Sequence, residues 1–249
     1  MRGSALRRLY PVLGVIALVV LVEVVGRFEL AGKSWPPLTE VLASLGQPGR
    51  LDLVLRSLGA TAVAAAAGLV LGTVLATAGA ALGLLVPVAR PGMDRLAAIL
   101  NAVPLIALAP LLIMTVGREG TPTVIAALGV GFVMFVALSS GLLAASRTHQ
   151  DVFTVLGAAR LTRLRRLQFP AALPYFLDGL ALAGPTAVLG ATIGEWFGAP
   201  SGLGVLIVSA MQNFQIPLLW SAALSATLLS LLAYVLFSRV QVLAARRFA

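Results

Sequence analysis

Few side chains in this sequence could do covalent or metal chemistry. It has no cysteine, which excludes thiolate nucleophiles, disulfides and cysteine-type metal sites, and a single histidine, His149, leaves little for a metal cluster. The only lysine lies in Ala31-Gly32-Lys33-Ser34. That tetrapeptide looks like the end of a phosphate-binding loop, but such a loop needs a glycine five positions before Gly32. Position 27 is Arg27, and Gly26 is one residue too early. Nucleotide hydrolysis is therefore expected on another chain, and no cofactor is expected on this one. What remains is a set of polar groups inside apolar runs, Asn101, Thr186, Thr192 and Glu195, and one basic stretch, VLGAARLTRLRRLQFPAALPYFLDG, from Val155 to Gly179. Ionisable groups in apolar spans are costly, and by default they are functional candidates.

The elements that must position these groups follow from composition. Of 249 residues 59% are apolar and only 11% charged, outside the range of soluble domains. The net charge of +9 does not form a stripe with interleaved aromatics, and no zinc-finger or RNA-binding motif appears, so no nucleic-acid partner is expected. A spanning helix needs about 20 mostly apolar residues. Six segments qualify, Leu9–Gly26, Leu58–Leu85, Leu96–Val116, Pro122–Ala145, Gly179–Gly198 and Leu218–Ser238. The first follows Arg2, Arg7 and Arg8, so a cleavable signal peptide is its rival, disfavoured because Glu23 interrupts it and no small-x-small cleavage site follows.

With the N-terminus inside, thirteen basic residues fall in the cytoplasm and five outside, namely Arg27, Lys33, Arg50, Arg56 and Arg118. The positive-inside rule thus selects six spans with both termini cytoplasmic. The basic stretch then belongs to the longest inner loop, Ser146–Asp178. Val152, Val155, Leu156 and Ala159 recur at helical spacing and predict a short helix, with Gly157 inside it as a point of close backbone approach. A second short helix should turn Leu161, Leu164 and Leu167 to one side and Arg163, Arg165 and Arg166 to the other. Pro170 and Pro174 should break the chain before the fifth span. Two readings of the loop stay open: arginines snorkelling to anionic headgroups, or a docking surface for a cytoplasmic partner.

The run from Asp151 to Gly204 resembles the permease subunits of ATP-binding-cassette importers. Their Glu-Ala-Ala loop has a glycine four residues on and a Leu-Pro about a dozen residues beyond. Here the glycine is Gly157, Phe169-Pro170 stands for Leu-Pro, and Asp151, Val152 and Phe153 occupy the Glu-Ala-Ala positions. LNAVPLIALAPLLIMTVG from Leu100 and GEWFGAPSGLG from Gly194 are similar to the nitrate, sulfonate, taurine and bicarbonate group of these permeases. The resemblance implies an all-α, polytopic membrane bundle of the type I importer kind. Its parts would be an N-terminal span with its outer connection (1–57), a core (58–238) carrying the cytoplasmic loop 146–178, and a cytoplasmic tail (239–249).

It further implies a bacterial inner-membrane subunit with no chemistry of its own. A second permease subunit, a homodimer on this reading, completes a translocation path. Separate cytoplasmic ATPase subunits grip a coupling helix around Gly157, with Asp151, Val152, Phe153, Leu156, Ala158 and Pro170 as coupling residues, and an external solute-binding protein delivers the solute. Nitrate, sulfonates, bicarbonate and vitamin precursors all fit. The rival class is a self-contained channel or ion-coupled secondary transporter, which would usually carry intramembrane acids or an inverted repeat.

For the path itself, Pro104 and Pro110 should interrupt the third span and Gly184-Pro185 the fifth, and irregular backbone at membrane depth is tolerated only where it faces protein or water. Asn101, Pro104, Thr186, Thr192 and Glu195 are accordingly the pathway candidates. Glu195, beside Trp196, is open to two readings, a gate group or an interfacial boundary residue. Glu23 reads as an outer-end residue and His149 as a solvated loop histidine. Gly68, Gly72, Gly79 and Gly83 give two successive G-x-x-x-G spacings, so the second span should pack inside the bundle.

Overall fold

A chain this apolar must satisfy its backbone polar groups within each segment, and helices do so. In the structure, a computed structural model that describes residues 2–248, every regular element among those residues is helical. The order is α1 (Arg2–Arg27), α2 (Leu38–Ser44), α3 (Arg50–Leu85), α4 (Arg90–Ala102), α5 (Leu105–Leu143), α6 (Arg147–Val155), α7 (Arg160–Arg163), a π turn (Leu164–Gln168), α8 (Phe169–Glu195), α9 (Leu203–Gln212) and α10 (Ile216–Phe248). The side chains of Arg2, Arg7, Arg8, Arg147, Arg246 and Arg247, part of the basic bias, lie outside what is described, as does the final residue of the tail.

Four of the described helical segments are long and apolar enough to cross a membrane, Arg50–Leu85, Leu105–Leu143, Arg160–Glu195 and Ile216–Ala244. One of them is not straight. Gly117 has φ 79° and ψ 171° inside α5, a conformation open to glycine. A straight helix would separate residues 105 and 129 by about 36 Å. Instead, a Cβ at Gly129 would lie 3.6 Å from Leu105 Cδ1, so the chain folds back at Gly117. Limb 105–116 follows α4 after a break in extended backbone at Val103-Pro104, and limb 118–143 returns to bring Gly129 beside Leu105. Pro104 thus marks a real interruption, whereas Pro110 lies within helical backbone.

Small residues set the packing. At Gly141, Gly179, Gly190 and Gly194 a Cβ would come within 3 Å of Tyr175, Ala137, Ala126 and Pro122 respectively, so limb 118–143 and α8 run antiparallel in near backbone contact. In lipid, where no hydrophobic force drives helices together, such close approach supplies the van der Waals attraction. On α3, Gly68 and Gly72 face Thr123 and Val130 just as tightly, and α3 runs parallel to that limb. Gly79 and Gly83 meet their neighbours only at ordinary contact distance. α10 packs antiparallel to α8, with Phe237 against Gly184 and Gln241 Nε2 donating to Asp178 Oδ1 at 2.5 Å. These directions gather Arg90, the 147–166 stretch and Arg239 at one end of the bundle, and Arg27, Arg50 and Arg118 at the other.

Three sequence expectations are corrected. Pro170 and Pro174 do not break the chain: α7, the π turn and α8 form one apolar helical segment, Arg160–Glu195. The Phe169 N–H reaches five residues back to Leu164 O, and this wider turn accommodates a proline that has no donor. Gly184-Pro185 does not break α8 either, because one missing ladder bond is tolerated where α10 packs against the site. Leu161, Leu164 and Leu167 do not share a face: Leu164 is 3% exposed in the core and Leu161 47% exposed. The apolar interior has two parts. One joins α3, α5 and α8 around Met134 and Val188, and the other joins α3, α9 and α10 around Leu203 and Leu218.

Candidate functional site: a cleft and an exposed loop

Where limb 105–116 departs from α4, the broken backbone opens a cleft of about 570 Å³ against α8 and limb 118–143. Asn101, Pro104 and Thr192, three of the residues picked from sequence, line it together. From α8 come Leu189, Thr192, Ile193 and Trp196, spaced as one helical face. Sequence reasoning missed Trp196 as a lining residue, although the i+4 step from Thr192 leads to it. Among the described residues no charged one lines the cleft.

Its polar capacity is limited. The Thr192 hydroxyl donates to Val188 O at 2.8 Å, and the Thr186 hydroxyl donates to Leu182 O at 2.9 Å. Thr186 turns its methyl toward Gly129, which lines the cleft. Asn101 is exposed, and its amide can both donate and accept. Glu195 stands apart from the cleft. At 1% exposure it is not an interfacial boundary residue but a buried one, bonded to α3 and α9.

At the arginine-rich end the loop is shorter in helix than its periodicity suggested. α6 is capped by Ser146, whose hydroxyl accepts from His149 N–H and lies 2.9 Å from His149 Nδ1. α6 ends at Val155, before Gly157 rather than around it. Gly157 N–H donates to Thr154 O and Ala158 N–H to Phe153 O, both at 3.0 Å, the paired bonds that close a helix through a left-handed residue. Gly157, with φ 66°, is that residue, and a Cβ there would touch nothing within 4 Å. Its role in this chain is to stop the helix.

Beyond that turn the loop shows an apolar surface. Val152, Val155 and Leu156 are 50%, 87% and 76% exposed. Asp151 beside them is exposed, Phe153 and Ala158 are half-buried, and Pro170 lies exposed at the start of α8. Arg160 and Arg163 fasten the loop from behind, donating to Leu85 O and Thr154 Oγ1, each at 3.2 Å. At the far end Lys33 lies in turns that lead through Pro36-Pro37 to the short α2, and no long helix starts there to support phosphate binding.

Over 142 residues the chain is 32% identical to the formylaminopyrimidine transport permease protein ThiX of Halalkalibacterium halodurans, covering 57% of each chain. It is 31% identical over 137 residues to the riboflavin transport system permease protein RibX of Chloroflexus aurantiacus, covering 55% of this chain and 51% of that one. It is also 31% identical over 124 residues to the putative aliphatic sulfonates transport permease protein SsuC of Bacillus subtilis, covering 49% and 45%. The chain therefore spans about half the length of the curated relatives it matches. A solved structure of the MetNI methionine ABC transporter in inward-facing form superposes with a TM-score of 0.66 at 18% identity, covering 78% of this chain and 97% of that one, and so shares the fold. Residues 68–249, most of the sequence, match the model of the binding-protein-dependent transport system inner membrane component, and the chain belongs to that family.

Proposed function

We propose that this chain is the membrane subunit of an ATP-driven, binding-protein-dependent importer of a small solute. The observation that carries the reading is α6. A helix of nine residues at the arginine-rich end, closed by Gly157, holds Val152, Val155 and Leu156 out to solvent, largely uncovered by the described residues. Such a knob suits a cleft on a cytoplasmic ATPase, and hydrolysis belongs to that partner. On this reading Asp151, Val152, Phe153, Leu156, Gly157, Ala158 and Pro170 form or support the coupling surface. The cleft at Asn101, Pro104 and Thr192 is one half of a path that a second copy completes.

The same reading has six crossings with both termini cytoplasmic. α1 is the first, and α4 with limb 105–116 is the third, broken at Pro104. The relatives are named for a pyrimidine, a flavin and sulfonates. A cleft without a cation favours a weakly held, transient passenger, with selectivity set by an external binding protein.

The test is reconstitution of the chain with its ATPase and its binding protein in lipid vesicles. Uptake of labelled solute should need ATP, the ATPase and the binding protein together. Uptake that persists without ATP would turn the reading toward a channel.

A further inference from the structure

Glu195 closes α8 with a side chain only 1% exposed, and among the described residues no cation pairs with it. Its Oε2 accepts from Gly204 N–H at 2.7 Å and from the Thr61 hydroxyl at 3.0 Å. Thr61, itself fully buried on α3, accepts from Leu203 N–H at 2.8 Å. Leu203 and Gly204 are the first residues of α9, whose own N-cap, Gly202, has no side chain to offer. Every helix start leaves its first N–H groups without an internal partner. Here two of them are met from α3 and α8 instead.

Two glycines let the chain approach the carboxyl this closely. A Cβ at Gly202 would overlap the Glu195 carboxyl. One at Gly204 would run into Thr192 O and come within 2.9 Å of Trp196 Cδ1. The start of α9 is thus seated against Thr192 and Trp196, two residues that also line the cleft. Thr61 lies on α3 between Val54 of the apolar cluster around Leu203 and Ala65 of the one around Met134, so the joint also sits where the two clusters meet. Apolar packing is non-directional, whereas a hydrogen bond weakens steeply with distance and angle. The polar joint therefore sets how α9 sits against α8.

We propose that Glu195 is a positioning residue for the cleft: with Thr61 and the amide of Gly204 it locks α9 behind Trp196 and so fixes the outer lip of the solute path. The role rests on the importer reading above.

The chain has three tryptophans, and Trp35→Phe with Trp220→Phe leaves Trp196 as the sole fluorophore. In that parent, alone in lipid vesicles, Glu195→Ala and Thr61→Val should raise acrylamide quenching of Trp196, and uptake is then read after assembly with the ATPase and binding protein. Both should also raise the solute concentration for half-maximal uptake, with ATPase co-purification unchanged. Glu195→Gln, which keeps an acceptor oxygen, should return both readouts toward the parent. Quenching in Glu195→Ala equal to that of the parent overturns the proposal. Should that variant fail to accumulate as folded protein, Thr61→Val decides, since it keeps the volume and loses only the hydroxyl. Its quenching must rise, and a parental value overturns the proposal. ATP-independent uptake by the parent itself would sink the importer reading instead, while the fluorescence comparison would still test the joint.

Discussion

Arg163 Nη1 donates to Thr154 Oγ1 across 3.2 Å, tying the end of α7 to the last turn of α6. Arg160 anchors the same corner to the end of α3 through Leu85 O. The basic stretch therefore does more than attract headgroups, because two of its arginines hold the exposed helix in place. Arg163→Ala should weaken ATPase association by about 1 kcal/mol, the net worth of an ordinary hydrogen bond. Arg165→Ala removes an exposed side chain with no hydrogen bond among the described residues, and should leave association unchanged. Co-purification of the ATPase at equal permease level measures both. Equal losses for the two variants would return the loop to a general charge effect.

Gly157 offers a reversal of order between two substitutions. With φ 66° and no atom within 4 Å of a built Cβ, its constraint is backbone conformation and not space within the chain. A left-handed residue costs an L side chain roughly 1–2 kcal/mol, and asparagine tolerates it best. Gly157→Asn should therefore assemble with the ATPase better than Gly157→Ala, despite the larger side chain. If a partner's backbone presses on this position, the order inverts and alanine is the milder change.

The sequence carried the class, the apolar runs and the basic end because these depend on composition and local charge. It carried the cleft partly: Asn101, Pro104 and Thr192 were visible as polar or irregular positions in apolar surroundings, and all three line it. It did not show that Pro170, Pro174 and Pro185 sit inside continuous helix, since whether a proline breaks a helix is decided by a wider turn upstream and by neighbours. Periodicity also ran through Gly157, because nothing local says that this glycine turns left-handed. The partners of Glu195 come from Thr61, 134 residues away, and from Gly204 beyond a loop, and no spacing rule connects them.

The glycines of α3 separate packing from mere composition. A Cβ at Gly68 would press on Thr123 O at 2.9 Å and on Ala126, whereas one at Gly79 would meet Phe135 at 3.7 Å, ordinary contact. Overfilling a tight interface typically costs about 1–3 kcal/mol. Gly68→Ala should lower the thermal unfolding midpoint in detergent, and Gly79→Ala should leave it unchanged or raise it slightly by favouring helix. Matching shifts would mean that the two G-x-x-x-G spacings act alike.

Topology can be read by single cysteines, since the chain has none of its own. Val155, 87% exposed on the loop at the arginine-rich end, and Asn213, exposed in the turn after α9 at the other end, are suitable positions. Ala199, at 6% exposure, is not. The helix directions place these two at opposite ends of the bundle, and the proposed orientation, which follows the excess of arginine, puts the Val155 end in the cytoplasm. In intact cells a membrane-impermeant maleimide should therefore label Asn213→Cys, and it should reach Val155→Cys only after the inner face is opened. A second pair tests the first crossing: Phe28→Cys, 69% exposed after α1, should label from outside and Ser4→Cys only from inside. Outside labelling at both positions of that pair would remove α1 from the membrane and reduce the six proposed crossings to five, while leaving the cleft and the loop where they are.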